Sequence, residues 1–491
     1  MKSRRSVPLL AAIGFLTGVA ASVAQSAAPP NVVVILSDDV GWGDPGCYGA
    51  TKVKTPNIDA LARGGLRFTD GHASAAVCTP TRYSLLTGQY SWRVKATGLD
   101  QGVANGDSPL LISTNAVTLP GILKNAGYRT AVIGKWHLGF GKTAPDFNAE
   151  LSPGPLDIGF DEAFVFPATN DRVPTVFIRD RKVVNLDPAD PIRYTYNEET
   201  ANKEGLRRYA AGRERIGWMS GGKAAWWNDI DIADTFTREA VSFIERNHEK
   251  PFFLFFTPHD VHPPTIPHPR FKGSSGLGAR ADMLHELDWS VGEILKALEK
   301  HGLTRHTLVV FSSDNGANPV DEDGHKPNGP WRGKKSQLWE GGHRVPLIVH
   351  WPDRVKPGVS PALVSLHDLP ATIAAITKAP LTEDAAPDSF NLLPVLTGES
   401  AAARDHLVLQ SGMGALAIRQ GSWKYIPDLS TADGWGAWKQ KKAGAATFSG
   451  PGLYNLEDDP REERNLHAEQ PEISKKLAAL LEIVRSAPSR Q

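Results

Sequence analysis

Two acids in succession, Asp38 and Asp39, close the apolar run NVVVILSDD (31–39), and the run TLVVFSSDNG (307–316) closes on Asp314 and Asn315. Carboxylates held side by side resist ionising together unless a cation lies between them. Three carboxylates and an amide oxygen make a hard, all-oxygen donor set. It suits Ca2+ first and Mg2+ second, and suits Zn2+ poorly. One such pair alone reads as a solvated turn. Two pairs, each ending a strand-like run, point to a divalent metal held by Asp38, Asp39, Asp314 and Asn315.

The stretch AAVCTPTRYSLL (75–86) holds Cys78, one of only two cysteines. Pro80 suits the first turn of a helix and Thr79 its N-cap, which would set Cys78 at a helix N-terminus, where free N–H groups favour anions. Arg82 adds a guanidinium suited to a tetrahedral oxyanion. By itself the pattern reads as a thiolate of lowered pKa, or as half of a Cys47–Cys78 disulfide in an oxidising compartment. GKWHLG (134–139) adds Lys135 and His137, and HDVHPP (259–264) adds His259 and His262. RGKKSQLWEGGHRVP (332–346) adds Lys335, with Lys334 and Arg344 as weaker candidates. Singly these are loop histidines and solvated lysines. Around a metal they would hold an anion and move protons, the chemistry of sulfate or phosphate ester hydrolysis.

Residues so far apart in sequence need a scaffold that gathers them. TPNIDALARGG (55–65) reads as a helix with a glycine stop, DTFTREAVSFIERN (234–247) as an amphipathic helix, and ADMLHELDWSVGEILKALEKHG (281–302) as a longer one with a single apolar face. TLPGILKNAGYRTAVIGKWHLG (118–139) reads as helix, turn, strand and loop; PFFLFFTPHD (251–260) and VPLIVHWP (345–352) read as buried strands. Alternating helices and apolar strands predict an α/β fold: a large, mostly parallel sheet sandwiched by helices, with the polar residues at the strands' carboxyl ends. Residues 170–232, with Trp218, Trp226 and Trp227, have weak periodicity and read as an insertion over the site. After SFNLLPVLTGE (389–399) short strands and an amphipathic helix (471–486) predict a small C-terminal α+β subdomain, an antiparallel sheet plus helix. The expected divisions are 1–28, 29–399 and 400–491.

Residues 1–28 have the basic start, apolar middle and small-residue end of a signal peptide. The mature protein is therefore expected to be exported, periplasmic or extracellular, without a membrane span. Lys and Arg total 54, as do Asp and Glu, so charge gives no reason to expect a nucleic acid partner.

From about residue 31 onward the chain resembles the type I, formylglycine-dependent sulfatases of the alkaline phosphatase superfamily, in particular arylsulfatases and N-acetylgalactosamine-6-sulfatases. The resemblance rests on C-x-P-x-R at Cys78–Arg82, with LSDDVGWGD, GKWHLG, SSDNG and GKKSQLWEGGHRVP in order. It implies that a maturation enzyme oxidises Cys78 to Cα-formylglycine. The hydrated aldehyde would attack sulfur beside a Ca2+ ion, and a second hydroxyl would then expel sulfate. It further implies that Asp38, Asp39, residue 78, Asp314 and Asn315 bind calcium and that Arg82 orients residue 78. Lys135 and His137 would contact sulfate and the hydrate, with His137 the base for elimination. His262, with His259 as second choice, and Lys335 would bind sulfate and help protonate the leaving group. Thr169 stands loosely where some members have a serine near the sulfate. SLHD (365–368) reads as core and turn rather than a hydrolase triad. The expected substrate is a sulfated carbohydrate or aryl sulfate, with Trp226, Trp227 and the 263–272 loop available to grip a sugar. Two alternatives are a phosphonate or phosphodiester hydrolase of the same superfamily and an inactive secreted calcium- or glycan-binding protein.

Overall fold

The computed structural model describes residues 29–94, 102–436 and 449–487. The expected signal segment lies outside the described residues. A ten-stranded sheet forms the centre. Its five middle strands, Thr307–Ser313, Asn31–Ser37, Phe252–Thr257, Arg129–Lys135 and Glu162–Phe166, run parallel in that order. Leu347–His350 pairs antiparallel beside Thr307–Ser313, and short strands complete both edges. The expected mostly parallel α/β sheet is therefore present, with antiparallel strands at its margins.

The middle strands are apolar because both faces are covered. One face packs on helices Pro56–Gly64, Ile232–Asn247 and Ala279–Lys300, through Ile58, Phe236, Phe243, Leu287 and Ile294. The other packs on helices Cys78–Thr87, Leu119–Asn125 and Leu369–Thr377, through Leu85, Leu123 and Ile373. All five parallel strands end on one edge, so the residues after each of them converge there. Close strand packing needs Gly134, at φ 125°: a Cβ there would lie 2.0 Å from the Thr257 carbonyl oxygen.

Strands His406–Gln410, Leu416–Gln420, Trp423–Ile426 and Gly452–Asn455 form a separate antiparallel sheet, backed by helix Pro471–Ser486 through Leu477 and Leu481. Buried charges join it to the main sheet. Arg419 grips Asp70 with both terminal nitrogens, at 2.6 and 2.7 Å. Lys424 reaches Glu340 at 3.1 Å and Glu462 at 2.9 Å.

Residues 170–232 contain order that their weak periodicity hid. Strands Arg193–Thr195, Arg207–Ala210 and Arg213–Ser220 form a small antiparallel sheet. Charged residues on both strands, the buried Arg215 among them, masked the alternation of apolar and polar residues that marks a strand. Trp227 is buried against Phe166 and Phe177, and Trp226 is half-buried with its indole N–H on the Gly221 carbonyl. Trp227 therefore belongs to the core and is not available to a sugar.

Candidate active site

Asp38 and Asp39 leave the central strand into a turn where Asp39 takes φ 62°, an uncommon conformation for a residue with a side chain. The Asp38 N–H donates to the Asp260 carbonyl at 2.9 Å, and the Val261 N–H donates back to Asp38 at 2.6 Å. Asp314 follows the neighbouring strand. One oxygen each of Asp38, Asp39 and Asp314 and the Cys78 sulfur lie within 4.8 Å of one another, all buried. Cys78 Sγ is 3.6 Å from Asp38 Oδ1.

Three cations answer the three carboxylates. Lys135 Nζ lies 2.7 Å from Asp38 Oδ2, and Lys335 Nζ 2.6 Å from Asp39 Oδ1. Arg82 donates to Asp314 Oδ2 from Nε at 2.9 Å and Nη2 at 2.7 Å, and to the Lys135 carbonyl at 3.1 Å. Arg82 is thus bound to an acid of the cluster. Burial pushes Asp39 upward, but Lys335, His262 and Lys135 outweigh it and hold its carboxyl well below the usual range. Burial, reinforced by Asp38, lifts Asp314 above its ordinary value despite Arg82 and Lys135.

The donor set fits a hard divalent cation. Asn315 donates through Nδ2 to Asp39 at 2.7 Å and to the Gly316 carbonyl at 3.0 Å. Its Oδ1 is buried with no hydrogen-bond partner. An orphaned amide oxygen beside three carboxylates is a vacant acceptor at a cost that a metal would remove.

Cys78 opens the helix Cys78–Thr87, and Val77, not Thr79, occupies the N-cap position. Thr79 Oγ1 instead accepts the Ala104 N–H at 3.1 Å. Both cysteines are free, so there is no Cys47–Cys78 disulfide. Burial, then Asp314, raise the Cys78 thiol to about 12, with Lys135 and Lys335 pulling the other way. The lowered thiolate pKa expected from the helix terminus is absent, because burial, aided by Asp314, disfavours the anion more than the helix terminus and the two lysines favour it. An unmodified Cys78 is a neutral thiol.

His137, at φ 59°, has its Nε2 at 2.8 Å from the Ala104 carbonyl, while Nδ1 is buried without a partner. Burial, then Lys135, Arg172 and Arg82, hold it well below its ordinary pKa, so the ring is neutral. Its Nε2 donates to Ala104 and its Nδ1 keeps a free lone pair. His262 Nδ1 faces the Pro263 carbonyl at 2.7 Å, and the residue forms a close group with Asp38 and Cys78. Burial, then Lys335, lower it to about 4. His259 borders that group without joining it: its carbonyl accepts the His262 N–H at 2.9 Å and its ring lies beside Phe166 and Asp260. Arg344 turns to Asp70 and Glu340, and Lys334 is exposed. Neither joins the cluster. SLHD is buried, and Asp368 binds Arg404 rather than His367.

Thr169 is buried, and its hydroxyl is held by Asp171 and by Arg172 Nη1 at 2.6 Å. Sequence reasoning missed Asp171, Arg172 and Asn170. Asp171 is lowered by Arg172 and by His262 against burial, and Asn170 Oδ1 lies 3.2 Å from His262 Nδ1. The one available signal was FPATNDR directly after a buried strand, at the edge where the other site residues emerge.

This edge of the sheet, with its cation-lined acidic cluster, defines a metal-assisted ester hydrolase. The chain belongs to the sulfatase family: the family model described as Sulfatase matches residues 30–379. The chain is 45% identical to an N-acetylgalactosamine-6-O-sulfatase of Bacteroides thetaiotaomicron, over 98% of this chain and 99% of the relative. It is 33% identical to human arylsulfatase A, over 92% and 86%. A solved 6S-sulfatase structure, described within the metabolism of multiple glycosaminoglycans by B. thetaiotaomicron, superposes with a TM-score of 0.85. That match has 44% identity over 94% of this chain and 100% of the other. The protein is a sulfuric ester hydrolase. Among the described residues no helix is long and apolar enough to cross a membrane.

Proposed function

We propose that this enzyme releases sulfate from a sulfated carbohydrate, at the 6-O position of N-acetylgalactosamine or a sugar like it. The observation that carries the reading is the buried group of Asp38, Asp39, Cys78 and Asp314 beside the partnerless Asn315 oxygen. The substrate class is supported by the near full-length likeness to the N-acetylgalactosamine-6-O-sulfatase. Asp38, Asp39, Asp314 and Asn315, with residue 78, would hold a calcium ion, which supplies positive charge to the sulfuryl oxygens. Converted to Cα-formylglycine by a maturation enzyme, residue 78 supplies the nucleophilic hydroxyl.

The other side chains follow from their surroundings. Three carboxylates and three cations leave the site near neutrality, so a dication makes it attractive to an anionic ester. Lys135 and Lys335 lie where they can pair with sulfate oxygens. His137, neutral with a free Nδ1, accepts a proton from the hydroxyl that expels sulfate. His262 is neutral in the free site; a sulfate beside it favours the imidazolium, the form that donates to the leaving oxygen. Asp171 and Arg172, next to His262 and His137, offer an acceptor and a donor fork to sugar hydroxyls, and Thr169 braces them. Residues 1–28 would direct export, with 29–399 as the catalytic unit and 400–491 as the subdomain.

The test pairs two measurements. Mass spectrometry of the peptide bearing residue 78 should find an aldehyde residue lighter than cysteine. Inorganic sulfate should be released from N-acetylgalactosamine 6-sulfate and not from the 4-sulfate. Full activity with an intact thiol would overturn the nucleophile. Turnover of aryl phosphate diesters above sulfate esters would favour the phosphodiesterase alternative instead.

A further inference from the structure

The hairpin Arg207–Ala210 and Arg213–Ser220 turns an unusual face to solvent. Along its second strand Glu214, Ile216 and Trp218 alternate with the buried Arg215, Gly217 and Met219, so they share the outer face. Tyr209 sits opposite Glu214. Tyr209 is 61% and Ile216 43% exposed. Arg208 lies over the Trp218 ring, 4.9 Å from its centroid, and Arg207 and Arg213 are exposed nearby. The inner face is fixed: Arg215 donates to both Asp229 oxygens at 2.8 and 2.9 Å and to the Asn170 carbonyl at 2.8 Å.

This face is continuous with the rim of the active site. The Ile216 N–H donates to the Asp171 carbonyl at 2.7 Å, and the Val173 N–H donates to Ile216 at 3.1 Å. Ile216 is therefore one strand spacing from the segment carrying Thr169, Asp171 and Arg172, and Trp218, paired with Thr195, follows two residues along the same strand. Aromatic and aliphatic side chains suit the C–H face of a pyranose ring, and arginines suit its sulfate or carboxylate substituents. Arg208 pairs with Glu214 at 3.6 Å and Arg213 with Asp229 at 3.4 Å, both arginines half or more exposed, and with Arg207 they give these two strands more positive than negative charge in a chain whose total charge is balanced.

We infer that Tyr209, Ile216, Trp218 and Arg208 form a binding surface for the part of an anionic glycan chain that continues beyond the sulfated sugar in the catalytic site. This surface rests on the carbohydrate reading above and extends it from one sugar to several. Its occupant is the substrate's own chain, because the face begins at the residues that would hold the first ring.

The test compares two substrates on the mature enzyme: N-acetylgalactosamine 6-sulfate, and a tetrasaccharide in which that sugar alternates with a uronic acid. The paired variant Trp218→Ala, Arg208→Ala should lose about tenfold in kcat/KM on the tetrasaccharide, the worth of a stacking and a charge contact together. Its kcat/KM on the monosaccharide should stay within about twofold, since nothing removed touches the first ring. Arg208→Glu, a single surface change, should show the same split. Equal losses on both substrates, or no loss on the tetrasaccharide, would overturn the surface while leaving the carbohydrate reading intact. A variant that converts an oligomer to a monomer would show that a second copy covers this face, and would overturn it too. If the wild type releases sulfate from neither saccharide, the carbohydrate reading falls and takes this surface with it.

Discussion

Ser336 donates its backbone N–H to the Ala76 carbonyl at 2.7 Å, which ties the loop of Lys335 to the segment leading into Cys78. The C-terminal sheet closes this clamp. The Ala76 N–H donates to Gln410 at 2.8 Å, and the Gly412 N–H donates to Ser336 at 2.9 Å. Two cluster residues more than 250 positions apart are thus held from outside the main sheet. The C-terminal unit is part of the active-site support.

Cys78→Ala should abolish sulfate release while leaving the circular dichroism spectrum and melting temperature close to wild type. The side chain removed is small, and Arg82 keeps its bonds to Asp314 and Lys135. Residual turnover at a tenth of wild type or more would remove residue 78 from the nucleophile role.

Chelation should suppress activity and added calcium should restore it. Asn315→Ala should weaken calcium binding, followed by calorimetry on the apo protein, by about tenfold or more. Asn315→Ala also removes the Nδ2 bonds to Asp39 and to the Gly316 carbonyl, so Asn315→Asp, which keeps an oxygen in place, should bind calcium more tightly than the alanine variant. Unchanged calcium affinity in the alanine variant would take Asn315 out of the metal site.

The pH profile of kcat, which includes the step that expels sulfate, should place its acid limb below the ordinary histidine value of 6.5. His137 must be neutral to accept a proton, and burial followed by Lys135, Arg172 and Arg82 depresses its pKa. Activity is therefore present above that depressed value and lost as pH falls through it. Removing a positive neighbour, as in Arg172→Ala, should move the limb to higher pH as well as changing the rate. A limb that stays in place would mean that another group titrates there.

Arg419→Ala should destabilise the protein by about 2–3 kcal/mol at neutral pH, because it removes two charge-assisted hydrogen bonds from buried Asp70, which keeps Arg344 and His72. Burial raises Asp70, but Arg344 and Arg419 outweigh it and hold the carboxyl well below the usual range. A depressed carboxylate stabilises the fold above its unfolded pKa and loses that contribution as pH falls through its folded one. The gap between wild-type and variant melting temperatures should therefore narrow in strong acid. A constant gap would argue that packing, not charge, sets it.

Much of this protein is legible without a structure. The apolar runs before Asp38, Lys135, His259 and Asp314 announce buried parallel strands, since only a sheet covered on both faces needs such runs. Parallel strands all end on one edge, so the convergence of Asp38, Asp39, Lys135, His137, His262, Asp314 and Asn315 follows from the pattern. Other features depend on contacts between distant segments, which no local pattern encodes. The sequence suggests a thiolate at Cys78; burial, with Asp314 and then Asp38 beside it, makes it a neutral thiol instead. Of two histidines three residues apart the motif favours His262 over His259, and packing separates them: His262 is grouped with Cys78, and His259 lies against Phe166. Trp227 looks available to a sugar and is core, while the charged, aperiodic stretch around Trp218 proves to be a hairpin against Asp171. Sequence by itself determined the strands, the edge and the residue types delivered there, because periodicity and burial are local consequences of composition. Only the tertiary structure decided which charges meet, because electrostatic neighbours are set by packing across hundreds of residues.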